Sequence, residues 1–285
     1  MFNNAKNGVL KIDDTTVNYL SFGNGKKNLI LVPGLGDGFK TVKGLAIPFS
    51  ILYKRFCKEF KVYSFSRKND LPNNYSTLNM ADDIIKCMDK LGIEKASFVG
   101  VSQGGMISEY VAINHPLRVE KLVLVVTVPK ANGLIVDNVD NWLNLAQIDD
   151  FKSLMIDTAK KSYTGKYMKK SLRTVKYLSF LMKPKNYDRF IVQAEACKKH
   201  DALNEIHKIE APTLIIGGKL DLVLGVEGSI ILNEKIKDSE LYIYEEYSHG
   251  LYEQSKDFNT RVFDFLIENW IYYAWFFSYF GLKYT

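Results

Sequence analysis

Short apolar runs rich in β-branched and aromatic residues recur along this chain. Each is closed by turn residues and followed by a stretch whose apolar positions change to helical spacing. No other feature of the sequence restricts the fold as much. The runs are Leu29 to Val32, Val62 to Phe65, Ser97 to Val99, Leu122 to Val126, Leu214 to Ile216 and Leu241 to Tyr244. They are almost continuously apolar, which predicts strands covered on both faces, as in a mostly parallel sheet. Val9 to Ile12 and Thr16 to Ser21 add an antiparallel hairpin at one edge, giving eight strands. Between the runs, Ala81, Ile84, Ile85 and Met88 form one stripe while Asp82, Asp83, Lys86 and Lys90 face away. That spacing predicts an amphipathic helix over Thr77 to Leu91. Strands alternating with helices predict a doubly wound α/β fold.

The alternation breaks once. From Lys130 to about Ile209 no convincing strand occurs, and helical stretches surround Trp142, Met155, Tyr167 and Phe190. We therefore expect a helical cap, residues 130–209, inserted into a core made of residues 1–129 and 210–269. An insertion at that place stands over the carboxyl edge of the sheet, where this architecture binds ligands. Trp142, Leu145, Met155, Met168, Leu181, Met182 and Phe190 are candidates to line an apolar chamber, although such spacing more commonly reflects packing within the cap. A chain of 285 residues accommodates a domain with such an insertion. With 47% hydrophobic and 25% charged residues and no low-complexity tract, disordered and fibrous classes are excluded.

Chemistry enters at Gly100-Val101-Ser102-Gln103-Gly104-Gly105, which follows the strand at Ser97 to Val99 directly. It opens a helix with Met106, Ile107, Tyr110 and Val111 on one face. By itself Gly-x-Ser-x-Gly is weak evidence, arising by accident in about one such chain in thirteen. Its position between a strand and a helix is what a nucleophile elbow requires. There a serine hydroxyl is lifted above the sheet by a strained turn whose neighbours, Gly100 and Gly104, must lack bulk. The plainer alternative is a glycine-rich connection with no chemistry.

The elbow, Met80-Ala81-Asp82-Asp83, Leu91-Gly92-Ile93-Glu94-Lys95, Asn114-His115-Pro116 and Val119-Glu120-Lys121-Leu122-Val123-Leu124 together resemble the α/β-hydrolase superfamily. The similarity is to its branch of small esterases, enol-lactonases and non-haem haloperoxidase-like enzymes. It spans about residues 10 to 268 and is weakest in the cap. The resemblance implies Ser102 as nucleophile and His249, after the last strand, as general base. It also implies Asp221, after the strand at Thr213 to Ile216 and the turn Gly217-Gly218-Lys219-Leu220, as the orienting acid. Some members carry the acid after the strand before the cap, but Thr127-Val128-Pro129-Lys130 offers no carboxylate. The order Ser102, Asp221, His249 is the one this fold uses. The turn Pro33-Gly34-Leu35-Gly36-Asp37-Gly38 resembles the oxyanion loop, so the backbone amides of Leu35 and Gln103 are the expected oxyanion donors. Many relatives have histidine where Pro33 stands. A phosphate-binding reading of these glycines fails, because no Lys-Ser or Lys-Thr closes the turn.

Of the other histidines, His115 reads as structural or surface, while His200 and His207 read as surface residues near the cap, with substrate contact as the alternative. The resemblance implies hydrolysis of a small, apolar carboxylic ester or lactone through an acyl-enzyme, with no cofactor and no metal. Cleavage of a carbon–carbon bond or perhydrolysis by the same three residues is a second reading, and a ligand receptor with vestigial turnover is a third.

Three cysteines, Cys57, Cys87 and Cys197, are odd in number and widely spaced, which fits reduced core thiols rather than a disulfide framework or a zinc cluster. Met1 to Leu10 holds no signal-like apolar run, so a cytoplasmic location is expected. Between Lys160 and Lys185 stand nine Lys or Arg and no Asp or Glu. This stretch is either a solvated helical face or a positive one that attracts anionic substrates or a membrane surface. No nucleic-acid-binding pattern accompanies it. Residues 270–285 form an aromatic tail, with Trp270 to Phe280 too short to span a bilayer. Membrane-surface contact, a homodimer contact and packing on the body are its candidate roles.

Overall fold

The computed structural model describes residues 3–268. Its strands are β1 (Lys6–Ile12), β2 (Thr15–Phe22), β3 (Lys27–Val32), β4 (Phe60–Phe65), β5 (Ala96–Val101), β6 (Val119–Val125), β7 (Thr213–Gly218) and β8 (Ser239–Tyr244). They form one eight-stranded sheet in the order β1-β2-β4-β3-β5-β6-β7-β8. β1 pairs antiparallel with β2 and β2 antiparallel with β4, and every later pairing is parallel. Each apolar run falls on a strand, except that Val126 lies just past the end of β6, and most of the strands begin earlier, at polar ends such as Lys27-Asn28 and Ser239-Glu240. The ladder uses backbone groups and tolerates any side chain there.

Burial on both faces explains why the runs are continuous. Along β3, Ile30 and Val32 join one core while Leu29 and Leu31 join the other; along β6, Leu122 and Leu124 oppose Val123 and Val125 in the same way. One face is covered by α2 (Thr77–Lys90), α3 (Gln103–Asn114) and α8 (Glu227–Lys235). The other is covered by α1 (Ala46–Leu52) and α10 (Phe258–Ile267), with the short α9 (Leu251–Gln254) between α8 and α10 in sequence. Helix α2 buries Met80, Ala81, Ile84, Ile85 and Met88. It is capped by Ser76, whose hydroxyl accepts from the amide of Asn79 while the Asn79 side chain accepts from the Ser76 amide.

Between β6 and β7 lie α4 (Gly133–Gln147), α5 (Phe151–Ser162), α6 (Gly165–Met182) and α7 (Asp188–Lys198). Entry and exit of this insertion are tied together: Lys130 bridges Asp201, the amide of Ala131 donates to the His200 carbonyl at 2.9 Å, and the amide of Ala202 donates to the Pro129 carbonyl at 2.7 Å. Its inner side forms a separate core of Ile135, Val139, Trp142, Leu143, Leu154 and Phe190, closed from below by Met106, Val128, Val223 and Leu224. The aromatic run Trp270 to Phe280 lies outside the described residues.

His200 departs from the expected surface position. It is 2% exposed, and its ring lies 3.0 Å from the Thr77 hydroxyl and 3.0 Å from a Glu109 carboxyl oxygen. It thus ties the end of the insertion to α2 and α3, and burial pushes the Glu109 carboxyl up from its ordinary range. Glu109→Leu, which keeps most of the volume but orphans the His200 Nε2, is expected to destabilise the fold by about 1 to 3 kcal/mol. Urea denaturation at neutral pH measures this.

Candidate functional site

The parallel strands end together on one edge of the sheet, and the loops leaving that edge carry the candidate residues. β5 stops at Val101 and α3 begins at Gln103, so the whole change of direction falls on Ser102, whose backbone takes φ 55° and ψ −122°. A non-glycine residue held there costs on the order of 1 to 3 kcal/mol and persists only where its surroundings leave no alternative. Those surroundings are tight. A Cβ on Gly104 would lie 2.0 Å from the Val32 carbonyl oxygen, and one on Gly100 would lie 2.5 Å from the Gly104 carbonyl oxygen. The Ser102 amide donates to the Val125 carbonyl at 2.9 Å, and the Ser102 carbonyl accepts from the amides of Gly105 and Met106 and from the Thr127 hydroxyl.

His249 follows β8, and the amide of the next residue, Gly250, donates to the Ser162 carbonyl at 2.7 Å, fixing the loop against the end of α5. Its Nε2 lies 3.0 Å from the Ser102 Oγ and its Nδ1 lies 2.8 Å from the Asp221 Oδ2. Asp221 leaves the end of β7, and its second oxygen accepts from the amides of Val223 at 2.7 Å and Leu224 at 3.0 Å. These amides fix the carboxylate plane. Donation from Nδ1–H to the carboxylate then leaves Nε2 able to accept the serine proton. Asp221 and His249 are buried, while Ser102 is part-exposed at the floor of a cavity.

Leu35 begins a short 3₁₀ turn, Leu35–Gly38, directly after β3, and Gly34 abuts Ser102 with its Cβ direction 3.4 Å from the serine Cβ. Among the described residues, neither the Leu35 amide nor the Gln103 amide donates to a protein acceptor. Gln103 stands at the first position of α3, where an intrahelical acceptor is geometrically unavailable.

A buried polar network that sequence reasoning missed holds these two segments. Arg67, just past β4, donates from Nη2 to the Pro33 carbonyl at 2.5 Å and to the Gln103 Oε1 at 3.1 Å. The Gln103 Nε2 donates onward to the Gln193 carbonyl at 2.7 Å. Asp37 accepts from the Arg67 amide at 3.0 Å and from the Arg189 Nη2 of α7 at 2.7 Å. One carboxylate thus stands beside two guanidinium groups. Burial lowers the affinity of Arg67 for its proton, and the Asp37 charge opposes that shift. Asp37 lies inside the glycine-rich turn and Arg67 directly after a buried strand, which is the only hint the sequence offers. Their pairing with Arg189, more than a hundred residues later, is visible only in three dimensions.

The cavity above Ser102 holds about 380 Å³. Its walls include Trp142, Met155 and Phe190 of the insertion, together with Met106, Leu154 and Val223. Two of the polar wall residues are engaged: Asn138 donates to the carbonyls of Leu222 and Val223, and the Thr158 hydroxyl donates to the Leu154 carbonyl. Of the other chamber candidates, Leu145 packs against the insertion's core, while Met168, Leu181 and Met182 lie away from the cavity, the last two on the protein surface. Cys197 lines the cavity, but burial pushes its thiol up to about 12, so it stays protonated. Cys57 and Cys87 are buried and free. His115 ends α3 with its Nε2 3.4 Å from Asp82, and His207 is exposed. Among the described residues, no group of three or more His, Cys, Asp or Glu side chains is arranged to hold a metal ion, and no helix is long and apolar enough to cross a membrane.

Comparison with known proteins agrees with this fold. A family model for the α/β-hydrolase fold matches residues 60–256. The chain is 25% identical over 257 residues to 3-oxoadipate enol-lactonase 2 of Acinetobacter baylyi, covering 89% of this chain and 94% of that protein. It is 24% identical over 247 residues to the pimeloyl-[acyl-carrier protein] methyl ester esterase of Vibrio campbellii, covering 83% and 92%. Among solved structures, an α/β-hydrolase enzyme from a Medee basin deep-sea metagenome library superposes with a TM-score of 0.80 at 19% identity, covering 92% and 98%.

Asp37→Asn removes the carboxylate that pairs with the Arg189 guanidinium and accepts from the Arg67 amide. Breaking such a pair from one side typically costs about 3 to 5 kcal/mol. The variant is expected to unfold at correspondingly lower urea, with Ser102 less reactive in the molecules that remain folded, as read by the labelling rate with an organophosphorus probe.

Proposed function

Because the chain belongs to the α/β-hydrolase fold family, we propose that this hydrolase cleaves a small carboxylic ester or lactone through an acyl-enzyme on Ser102. One observation carries the reading: the unbroken line from Asp221 through His249 to Ser102, ending at the floor of an apolar cavity.

A serine hydroxyl is a poor nucleophile until a neighbouring base takes its proton. Here His249 Nε2 receives that proton as Ser102 Oγ bonds to the carbonyl carbon, and Asp221 stabilises the resulting imidazolium through Nδ1–H. Charge gathers on the former carbonyl oxygen, where the amides of Leu35 and Gln103 receive it; one such donor is worth about 3 to 4 kcal/mol of barrier. Collapse breaks the bond to the leaving oxygen, which takes the proton from His249. With a lactone, that alcohol stays attached to the acyl group. Water, deprotonated by His249, then attacks the acyl carbon and the carboxylic acid departs, returning Ser102. In this reading residues 130–209 act as a cap whose inner wall selects the acyl group by fit, and the cavity volume suits a small or medium-sized apolar ester.

A fluorophosphonate probe is expected to label the wild-type protein at Ser102 and not Ser102→Ala. Ser102→Ala and His249→Ala should each lower kcat/KM on short acyl esters by about 10⁴-fold or more with the fold intact, Asp221→Asn by about 10⁴-fold, and the double change should add little. Folded wild-type protein that resists the probe sinks the proposal.

A further inference from the structure

Helix α6 packs along α5, and among the described residues its other face is left exposed. Met168, Ser171, Leu172, Val175 and Ser179 face inward, with Val175 and Ser179 fully buried. At 100° per residue, Lys166, Lys169, Lys170, Arg173, Tyr177, Phe180 and Leu181 fall on the opposite face. They are arranged in order: the cations from Lys166 to Arg173 come first and the large apolar groups from Tyr177 to Leu181 follow. Tyr177, Phe180 and Leu181 are 61%, 70% and 69% exposed. Leu178 and Met182 flank them, and Lys183 and Lys185 follow. Of the nine cations between Lys160 and Lys185, among the described residues only Lys161 and Lys183 pair with a carboxylate. A monomeric protein rarely leaves such a cluster of apolar side chains uncovered without a use for it.

The geometry points to α6 as a docking surface for an anionic lipid membrane, lying in the plane of the interface with Tyr177, Phe180 and Leu181 inserted and the surrounding lysines at the headgroups. Two observations select this occupant. An isologous contact between two copies sets a face against itself, which here would bring together two rows of unpaired cations with no acid between them. Charge alone would satisfy an acidic protein partner, but it gives no reason for three large apolar side chains on the same face. A cationic face that ends in an aromatic and aliphatic tip is the pattern of helices that lie on membranes, with lysine stems reaching along the apolar groups toward phosphate. No helix among the described residues is long and apolar enough to cross a membrane, so the contact lies on the bilayer rather than through it. Helix α5, on which α6 rests, supplies Met155 and Thr158 to the cavity wall, so docking would bring that wall close to the membrane.

Cosedimentation of the full chain with phosphatidylglycerol-containing vesicles and with pure phosphatidylcholine vesicles tests this inference. Wild-type protein is expected to bind the anionic vesicles, less at high salt, and to leave the neutral ones. Reversing four charges together (Lys166→Glu, Lys169→Glu, Lys170→Glu, Arg173→Glu) should weaken partitioning by about a hundredfold or more, since each cation near such a surface contributes roughly fivefold. Phe180→Ser with Leu181→Ser should weaken it by about tenfold or more. None of these six residues lines the cavity, so both variants should keep the wild-type circular dichroism spectrum and turnover of a soluble ester. Ser102→Ala should bind as the wild type does, which separates this inference from the hydrolase reading. Failure of the wild type to bind anionic vesicles overturns the inference, as does binding that both variants retain. Binding that responds to charge reversal but not to loss of Phe180 and Leu181 overturns it in favour of a purely electrostatic partner. A lipid-free dimer that the serine variant dissociates overturns it in favour of a second copy.

Discussion

Everything at this site depends on one backbone conformation, the φ of 55° at Ser102. A strand and a helix joined at a single residue place its side chain at the sheet edge, but only if the turn stays closed against its own strain. Contacts at van der Waals limit keep it closed. Gly104 rides against the Val32 carbonyl, and Gly100 against Gly104, so neither strand nor helix can relax without moving the other. The same closure sets the first amide of α3 beside the serine hydroxyl. The Ser102 hydroxyl and the Gln103 amide are therefore positioned by one constraint rather than two.

Support from the neighbouring loop explains the location of the acid. The chain leaving β6 turns at Val126, a β-branched residue at φ 42°, and brings the Thr127 hydroxyl to 2.9 Å from the Ser102 carbonyl. That segment buttresses the elbow, with Gly105 packed against the Thr127 side chain. Asp221 comes instead from the next strand, where the amides of Val223 and Leu224 aim its carboxylate at His249. Two adjacent strands thus divide two tasks, one bracing the serine and one orienting the base.

Sequence legibility follows the range of the interactions involved. The strands were readable because each buries both faces and so carries a local apolar signature, and Ser102 was readable because its turn demands glycine at fixed offsets. His249 and Asp221 were named through family resemblance, since a histidine in a loop has no local mark of its role. What stayed hidden depends on long-range pairing. His200 looked like a surface histidine because its partners, Thr77 and Glu109, are 123 and 91 positions away. Leu181 and Met182 looked like chamber residues because helical spacing reveals that a face is apolar but not which way it points. The ties of Asp37 to Arg67 and Arg189 span 30 and 152 positions and leave no local mark.

The inserted helices resolve into two surfaces with opposed demands. Inward, the insertion covers the cavity above Ser102 with Trp142, Leu154 and Phe190, while Arg189 anchors α7 to the turn Leu35–Gly38 through Asp37. That anchor is a charge pair with little exposure, so the part of the insertion nearest the chemistry is held most firmly. Outward, among the described residues α6 has no buried charge pair: Tyr167 near its start donates to Glu253, and the rest lies on α5 through Leu172, Val175 and Ser179 with its charged and apolar face turned away. A side chain added to that outer face lies away from the cavity, whereas one added to the inner wall changes the cavity volume. The substrate fit and the membrane contact proposed above are consequently separable in this fold, set by different helices of one insertion.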